Sequence, residues 1–349
     1  MIVGPTACAT VVVREGACHA PPTGYMVRCL NLMEGYLITG GAGFIGSHIV
    51  EALLGQGHFV RVLDDFDTGS RENLAAFSGV LELVEGSLED AGTVRSVMDG
   101  IDYVLHQGAR GSVPRSVSDP IGTHNANVTG TLHVLIAARD AGVRRVVCAS
   151  SSSVYGETPT LPKEESMLPV TLSPYALSKL TMEQYAALFT TVYGLETVSL
   201  RYFNIYGARQ NPNLQYSAVI PIFVRNMMNG TPCTIFGDGE QTRDFTYVDD
   251  CVRANLLACK ADRVSGEVFN IACGSQTSVN ELFRILSDIL EYRIPPSYQP
   301  QRPGDVRYSY ADVRRAGEAL GFKPHTTLLD GLKKTVEWYK RGTTIVNRA

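Results

Sequence analysis

The chain lacks the features that mark several large classes of protein, and each absence narrows the reading. Its eight cysteines include no CxxC pair. That scatter argues for free thiols in a reducing compartment, not for a disulfide frame. No apolar run approaches the roughly 20 residues that a membrane-spanning helix needs, so no membrane partner is expected. Basic clusters are missing too. Thirty-one Lys and Arg against 35 Asp and Glu leave a net charge of −4, which argues against nucleic acid as a partner. There are no internal repeats and no low-complexity tracts. The amino end lacks the basic start and long apolar core of a secretory signal. These points together lead us to expect a cytoplasmic location. Cys8, Cys18, His19 and Cys29 fall at spacings of no familiar ligand pattern, so no metal site is expected. Residues 1–34 read as an N-terminal extension, either poorly ordered or the product of a start codon assigned too early.

What is present begins at Tyr36-Leu-Ile-Thr-Gly-Gly-Ala-Gly-Phe-Ile-Gly46. An apolar run stops at glycines, and a helical pattern starts at Phe44, with Ile45, Ile49, Ala52 and Leu53 on one face. Strand, glycine turn and helix in that order form the first unit of a dinucleotide-binding fold. Gly40 permits a sharp exit from the strand. Gly43 allows close approach of a pyrophosphate, and Gly46 allows the helix to pack tightly on the sheet. The helix N-terminus offers N–H groups to the phosphates. A second strand, His58 to Leu63, ends in Asp64-Asp65. A carboxylate there binds ribose hydroxyls and repels a 2′-phosphate, which favours NAD over NADP.

Strands are expected at 36–39, 58–64, 80–84, 102–106, 144–150 and 195–201, with the clearest helices at 44–57, 121–141 and 174–193. The alternation predicts an α/β fold, a doubly wound parallel sheet of Rossmann type. After residue 200, Pro and Gly punctuate shorter elements, and a smaller mixed substrate lobe is expected. The expected division is a dinucleotide domain over 35–201, with 243–273 crossing back to it, and a substrate lobe over 202–349.

The second landmark is Ser173-Pro-Tyr-Ala-Leu-Ser-Lys179. Pro174 suits a first helical turn, and Tyr175 and Lys179 then share one helix face. A phenol is a poor base at neutral pH, but a nearby ammonium and a positive nicotinamide favour its phenolate. Upstream, Ala149-Ser-Ser-Ser-Ser-Val-Tyr-Gly156 leaves the end of a central strand, where catalytic side chains are displayed. A serine hydroxyl there can both donate and accept, and so relay a proton to Tyr175.

These motifs resemble the extended short-chain dehydrogenase/reductase family, and over residues 35 to 340 its nucleotide-sugar epimerase/dehydratase branch. The resemblance is carried further by Leu200-Arg-Tyr-Phe-Asn-Ile-Tyr-Gly207, Ile235-Phe-Gly-Asp-Gly239, Arg243-Asp-Phe-Thr-Tyr-Val-Asp249 and Arg302-Pro-Gly-Asp-Val306. It implies a catalytic set of Ser151, Tyr175, Lys179 and Asn127. For Asn127, a buried helix asparagine bonded to backbone explains the residue nearly as well. Gly40, Gly43, Phe44, Ile45, Gly46, Asp64, Ser87, Leu88, Gln107 and Lys179 are the implied NAD contacts. Asn204, Phe236, Arg243, Arg302 and Asp305 are the implied UDP contacts, with the two arginines clamping the diphosphate. Two places depart from the family pattern. Ser87 stands where an aspartate usually meets the adenine amino group, and Gly108 and Arg110 replace an alanine and an apolar residue.

The implied reaction is NAD-dependent 4-epimerisation of a UDP-hexose or UDP-N-acetylhexosamine through a 4-keto sugar. Dehydratases and decarboxylases of the branch place carboxyls just before the Val-Tyr-Gly, where this chain has Ser152 and Ser153, so elimination is disfavoured. UDP-glucuronate 4-epimerase stays as the alternative substrate. A non-catalytic NAD sensor would have lost Tyr175 or Lys179, and both are intact. In Arg302-Pro-Gly-Asp-Val-Arg-Tyr-Ser309, the last residue corresponds to the position bordering the sugar C2 substituent, where a small side chain leaves room for an acetamido group. Tyr308 or Tyr310 would fill that space if the register slipped by one. The branch also implies a homodimer through helices 121–141 and 174–193, with Leu132, Leu135, Ile136, Leu180 and Leu188 at the pairing positions.

Overall fold

The computed structural model describes residues 33–212, 218–301 and 306–346. Arg302, Asp305 and residues 1–32, with the cysteines and His19 noted there, lie outside the described residues. In the first half, β1 (Gly35–Thr39), α1 (Phe44–Gly55), β2 (Phe59–Asp64), β3 (Glu82–Glu85), α2 (Ala91–Ser96) and β4 (Tyr103–His106) follow in order. Then come α3 (Val113–Ser118), α4 (Pro120–His124), a π-helical turn over Asn125–Thr129 and α5 (Gly130–Asp140). They lead to β5 (Arg145–Ser151), α6 (Pro174–Tyr193) and β6 (Glu196–Tyr202). The remainder comprises β7 (Ile205–Tyr206), α7 (Val219–Met228), β8 (Thr234–Phe236), β9 (Thr242–Arg243) and β10 (Thr246–Tyr247). After these come α8 (Val248–Lys260), β11 (Glu267–Ile271), β12 (Thr277–Ser278), α9 (Val279–Leu290), β13 (Ser297–Gln299), α10 (Arg314–Leu320) and α11 (Leu328–Val346).

Seven strands form one parallel sheet in the order β11-β6-β5-β4-β1-β2-β3. The order reverses between β1 and β4, and in such sheets the crevice beyond the strand ends at that point receives ligands. Side chains alternate between two cores, as the period of a strand requires. Tyr36, Ile38, Val147 and Ala149 enter one core, with Ile49 and Leu53 of α1 and Val252 and Ala254 of α8. Leu37, Val104, Val146 and Cys148 enter the other, with Val134 and Leu135 of α5 and Met182 and Ala186 of α6. Both faces are covered, so the strands read as continuous apolar runs.

The six expected strands are present within two residues at each end, and β11 is the returning segment. β3 shows the largest shift. It lies at the sheet edge with three of its four residues exposed, and an edge strand carries a weak apolar signal. The helix expected over 121–141 is divided. Its first turn is α4, capped by Asp119, whose side chain accepts the Gly122 N–H, and the π-helical turn then separates it from α5. Short pairings, β8 with β13, β7 with β10 and antiparallel β9 with β12, make the mixed region outside the main sheet.

Candidate active site

The turn after β1 is built as its glycines require. Gly40 has φ +68°, and a Cβ on Gly46 would sit 2.2 Å from the Gly40 carbonyl oxygen. α1 has no side-chain cap at its amino end, so its first-turn N–H groups are available to a ligand. Asp64, at the end of β2, is 7% exposed. Its carboxylate accepts the Ala42 N–H at 2.9 Å and the Phe66 N–H at 2.8 Å. Burial raises its pKa, against the pull of those donors.

An open cleft of about 320 Å³ runs from this turn along the strand ends. It is lined by every residue expected to touch the cofactor: Gly40, Gly43, Phe44, Ile45, Gly46, Asp64, Ser87, Leu88, Gln107 and Lys179, together with Tyr175. The glycine cradle, the free helix end and the carboxylate fit a dinucleotide. Among the described residues no group of three or more His, Cys, Asp or Glu could hold a metal, and no helix is long and apolar enough to cross a membrane.

α6 places the tyrosine and lysine. The Ser173 hydroxyl accepts the Ala176 N–H at 3.1 Å, Pro174 opens the helix and Gly194 ends it in the left-handed region. Lys179 is buried and donates from Nζ to the Ala149 carbonyl at 2.7 Å, tying the helix to the end of β5. Burial pushes its ammonium down to about 8, with Cys148 and Glu183 acting the other way. Burial raises the Tyr175 phenol, and a hydrogen bond with Ser151 opposes the rise.

Ser151 has a fixed polarity. Its Oγ accepts the Ser153 N–H at 3.2 Å and the Ser153 hydroxyl at 2.8 Å. Both lone pairs are engaged, so Ser151 faces its surroundings as a donor. This refines the expectation that a serine here both gives and takes a proton.

Asn127 sits in the π-helical turn, 2% exposed and away from the cleft lining. Its Oδ1 accepts the Arg110 N–H at 2.8 Å, and its Nδ2 donates to the Arg110 carbonyl at 3.3 Å and to Ser178 Oγ at 3.0 Å. The side chain thus joins the loop after β4 to α6. Behind it, Thr131 Oγ1 donates to the Asn127 carbonyl at 2.5 Å. Thr131 therefore accepts from His106 Nε2–H at 3.0 Å, and His106 Nδ1 accepts from Thr39 at 2.8 Å. Thr39 in turn accepts the Gly108 N–H at 3.1 Å. One chain of bonds fixes the imidazole tautomer and links the glycine turn to the π-helical turn.

A second cavity of about 270 Å³ is lined by Asn204, Phe236 and Arg243, with Gln241 and Phe245. Asn204 has φ +38°, and its Nδ2 donates to the Asp244 carbonyl at 3.3 Å. Gln241 donates to the Phe236 carbonyl at 2.7 Å. Ser309 lies beside β9, its N–H donating to the Thr242 carbonyl at 3.2 Å, and is half-buried, while Tyr308 is 44% exposed. Sequence reasoning missed Tyr202, which lines the cofactor cleft. Its hydroxyl lies 2.9 Å from Asn255 Oδ1, which also accepts Gln107 Nε2 at 3.0 Å. Its place at the end of β6, just before Asn204, was the available signal.

Fold and cleft define a dinucleotide-binding enzyme of the Rossmann class, its cleft lying along the strand ends. The sequence profile of the NAD dependent epimerase/dehydratase family matches residues 36–272, and the chain belongs to that family. It is 39% identical over 308 residues to a UDP-glucose 4-epimerase of Mycolicibacterium smegmatis, covering 87% of this chain and 98% of that protein. Among solved structures, it resembles the UDP-N-acetylglucosamine 4-epimerase of Methanobrevibacter ruminantium in complex with UDP-N-acetylmuramic acid. The TM-score is 0.86 at 39% identity, over 89% of this chain and 99% of that one. The Thermotoga maritima UDP-glucose 4-epimerase with UDP-glucose gives 0.85 at 40% identity, over 88% and 99%.

Proposed function

We propose that the protein interconverts the C4 epimers of a UDP-hexose or UDP-N-acetylhexosamine through a 4-keto sugar, with NAD as its resident cofactor. The observation that carries this reading is that neighbouring residues at the end of β6 line two separate cavities. Tyr202 lines the dinucleotide cleft, and Asn204, two residues on, lines the second cavity. A sugar attached to a nucleotide in the second cavity reaches the reactive residues of the first.

When bound, NAD supplies the hydride acceptor and donor for C4. Gly40, Gly43, Phe44, Ile45 and Gly46 would hold its pyrophosphate side, Asp64 a ribose, Ser87 the adenine end, and Leu88, Gln107 and Lys179 the remaining wall. Tyr175 takes the proton of the sugar 4-hydroxyl and returns it after the 4-keto sugar has turned over. Ser151, held as a donor by Ser153, steadies the oxygen that loses the proton. Asn127 acts behind them as a positioning residue. Asn204, Phe236 and Arg243 hold UDP, joined by Arg302 and Asp305, and Ser309 borders the C2 substituent. Elimination would need a carboxyl next to Ser151, and Ser153 occupies that place as a hydroxyl bonded to Ser151.

The same reading makes the protein a cytoplasmic homodimer. Leu177, Leu188 and Val192 lie along one stripe of α6, each about half exposed, and Ile121 of α4 is 73% exposed. Of the positions expected to pair, Leu188 stays exposed, Leu132, Ile136 and Leu180 are half-buried, and Leu135 is spent in the sheet core.

The test is incubation with UDP-glucose, UDP-N-acetylglucosamine and UDP-glucuronate, with products resolved by NMR. C4 inversion of either of the first two supports the proposal. Turnover of UDP-glucuronate alone would replace the substrate. Denaturing the purified protein should release NAD(H). If none appears and only NADP⁺ supports turnover, the cofactor reading fails.

A further inference from the structure

We infer that Asp244 is the positioning residue of the nucleotide-sugar site, a single carboxylate that holds the segment bearing Ser309 in register against the strand bearing Arg243. The inference rests on the UDP-sugar reading above and adds to it the residue that sets the geometry of recognition.

Asp244 directly follows β9 and has no exposed surface. Its donors come from three separate places in the chain. Oδ1 accepts the Cys273 N–H at 2.8 Å. Oδ2 accepts the N–H groups of Gly274 at 2.9 Å, Ser275 at 3.3 Å and Ala311 at 3.2 Å. Its own carbonyl accepts Asn204 Nδ2. A buried carboxylate needs hydrogen-bond donors, and four main-chain amides supply them here, offsetting part of a burial that raises its pKa to about 6. The result is a knot between the turn after β11, the end of β9 and the extended segment before α10.

Main-chain bonds also tie that segment along both edges, and Asp244 adds, among the described residues, the only side-chain carboxylate that reaches its backbone at Ala311. On one edge, the Thr242 N–H donates to the Arg307 carbonyl at 2.9 Å, and the Ser309 N–H donates back to Thr242. On the other, the Lys163 N–H donates to the Tyr310 carbonyl and the Asp312 N–H to the Lys163 carbonyl, each at 2.9 Å. Side chains alternate along an extended segment, so a slip of one residue exchanges Ser309 for a tyrosine on either side. Asp244 grips Ala311, two residues past Ser309, and thereby fixes which side chain meets the sugar. Its two chain neighbours in space, Arg243 and Asn204, line the second cavity. One group therefore sets both the nucleotide contacts and the sugar contact.

The test is Asp244→Asn, which keeps the shape but turns an NH₂ toward amide donors. We expect the KM for the UDP-sugar and the Kd for UDP to rise tenfold or more. kcat should fall by less than KM rises. NAD content per subunit should stay at the wild-type level, since Asp244 is not among the cleft residues. Discrimination between acetylated and plain hexoses should weaken as the register loosens. A variant whose KM and UDP affinity stay within twofold of wild type would overturn the role of Asp244 alone. A wild type that binds no UDP would overturn the UDP-sugar reading and the role built on it. If the variant does not fold, hydrogen exchange on the wild type decides. The amides of Cys273, Gly274, Ser275 and Ala311 should be protected as one group, and more so with UDP bound. Free exchange of these amides in the UDP-saturated enzyme would overturn the proposal.

Discussion

The proposed reaction turns on Tyr175, and its surroundings set what each substitution should do. Tyr175→Phe keeps the ring and removes the oxygen that exchanges a proton with the sugar. Steady-state assays should show kcat reduced about 100-fold or more, while a UDP titration shows binding retained. Near-normal kcat would remove the role. Lys179 lies one turn away with its ammonium buried. In the proposed site the Lys179 ammonium favours the phenolate, so Lys179→Met should raise the pH at which the phenol ionises. The acid limb of the pH–rate profile should then move upward in pH; an unmoved limb would confine Lys179 to binding. In the proposed site Ser309 borders the C2 substituent, and substrate breadth tests that placement. Ser309→Tyr should lower kcat/KM for the acetylated pair roughly 10-fold to 100-fold through overpacking of about 1–3 kcal/mol. The plain hexoses should change much less. The ratio of the two kcat/KM values is the readout, and an unchanged ratio sinks the assignment.

At the scale of elements, two buried polar networks hold the cleft in shape. The first is the chain from Thr39 through His106 and Thr131 to Asn127. His106 is 2% exposed, and burial pushes its imidazole down to about 3, from an ordinary 6.5. Between those values the unfolded chain binds a proton that the native state refuses. Stability should therefore fall as pH drops from about 6.5 toward 3, by up to about 1.4 kcal/mol per pH unit from this group. Denaturation midpoints across that range should show the slope in the wild type and a shallower one in His106→Asn. The second network joins α6 to β6. Arg201 Nη2 donates to Glu183 Oε2 at 2.7 Å and Nε to Oε1 at 2.9 Å, and Ser150 donates to the same carboxylate. Each partner of this ion pair is 4% exposed. Glu183→Gln leaves a buried guanidinium unmatched and should cost about 3–5 kcal/mol by chemical denaturation. A double variant, Glu183→Leu with Arg201→Met, should recover much of that loss.

These networks also mark the limit of what the sequence made legible. The glycine turn, the capped start of α6 and the alternating strands are local patterns, and they were readable because each is set by residues within a few positions. Every expected cofactor contact lines one cleft for the same reason: strand ends converge once the parallel sheet is recognised. The π-helical turn at Asn127 was not readable, because it depends on a loop 17 residues away. The Gln107–Asn255 contact spans 148 positions, and the four donors to Asp244 come from 29 to 67 positions further on. No periodicity encodes such pairings.

At the scale of the whole molecule, the exposed stripe on α6 calls for a partner surface. Light scattering at micromolar concentration should report a dimer, and Leu188→Glu, which puts a charge into the middle of that stripe, should shift it to monomer with NAD still bound. A monomeric wild type would contradict the dimer. The measurement that bears most directly on the central claim is turnover of UDP-glucose and UDP-N-acetylglucosamine in deuterium oxide, followed by proton NMR. If hydride leaves C4 and returns to it inside a closed cleft, the product sugar is inverted at C4 and keeps protium at C4 and C5. Deuterium at C5, a 6-deoxy-4-keto product, or no inversion of either sugar would contradict the account.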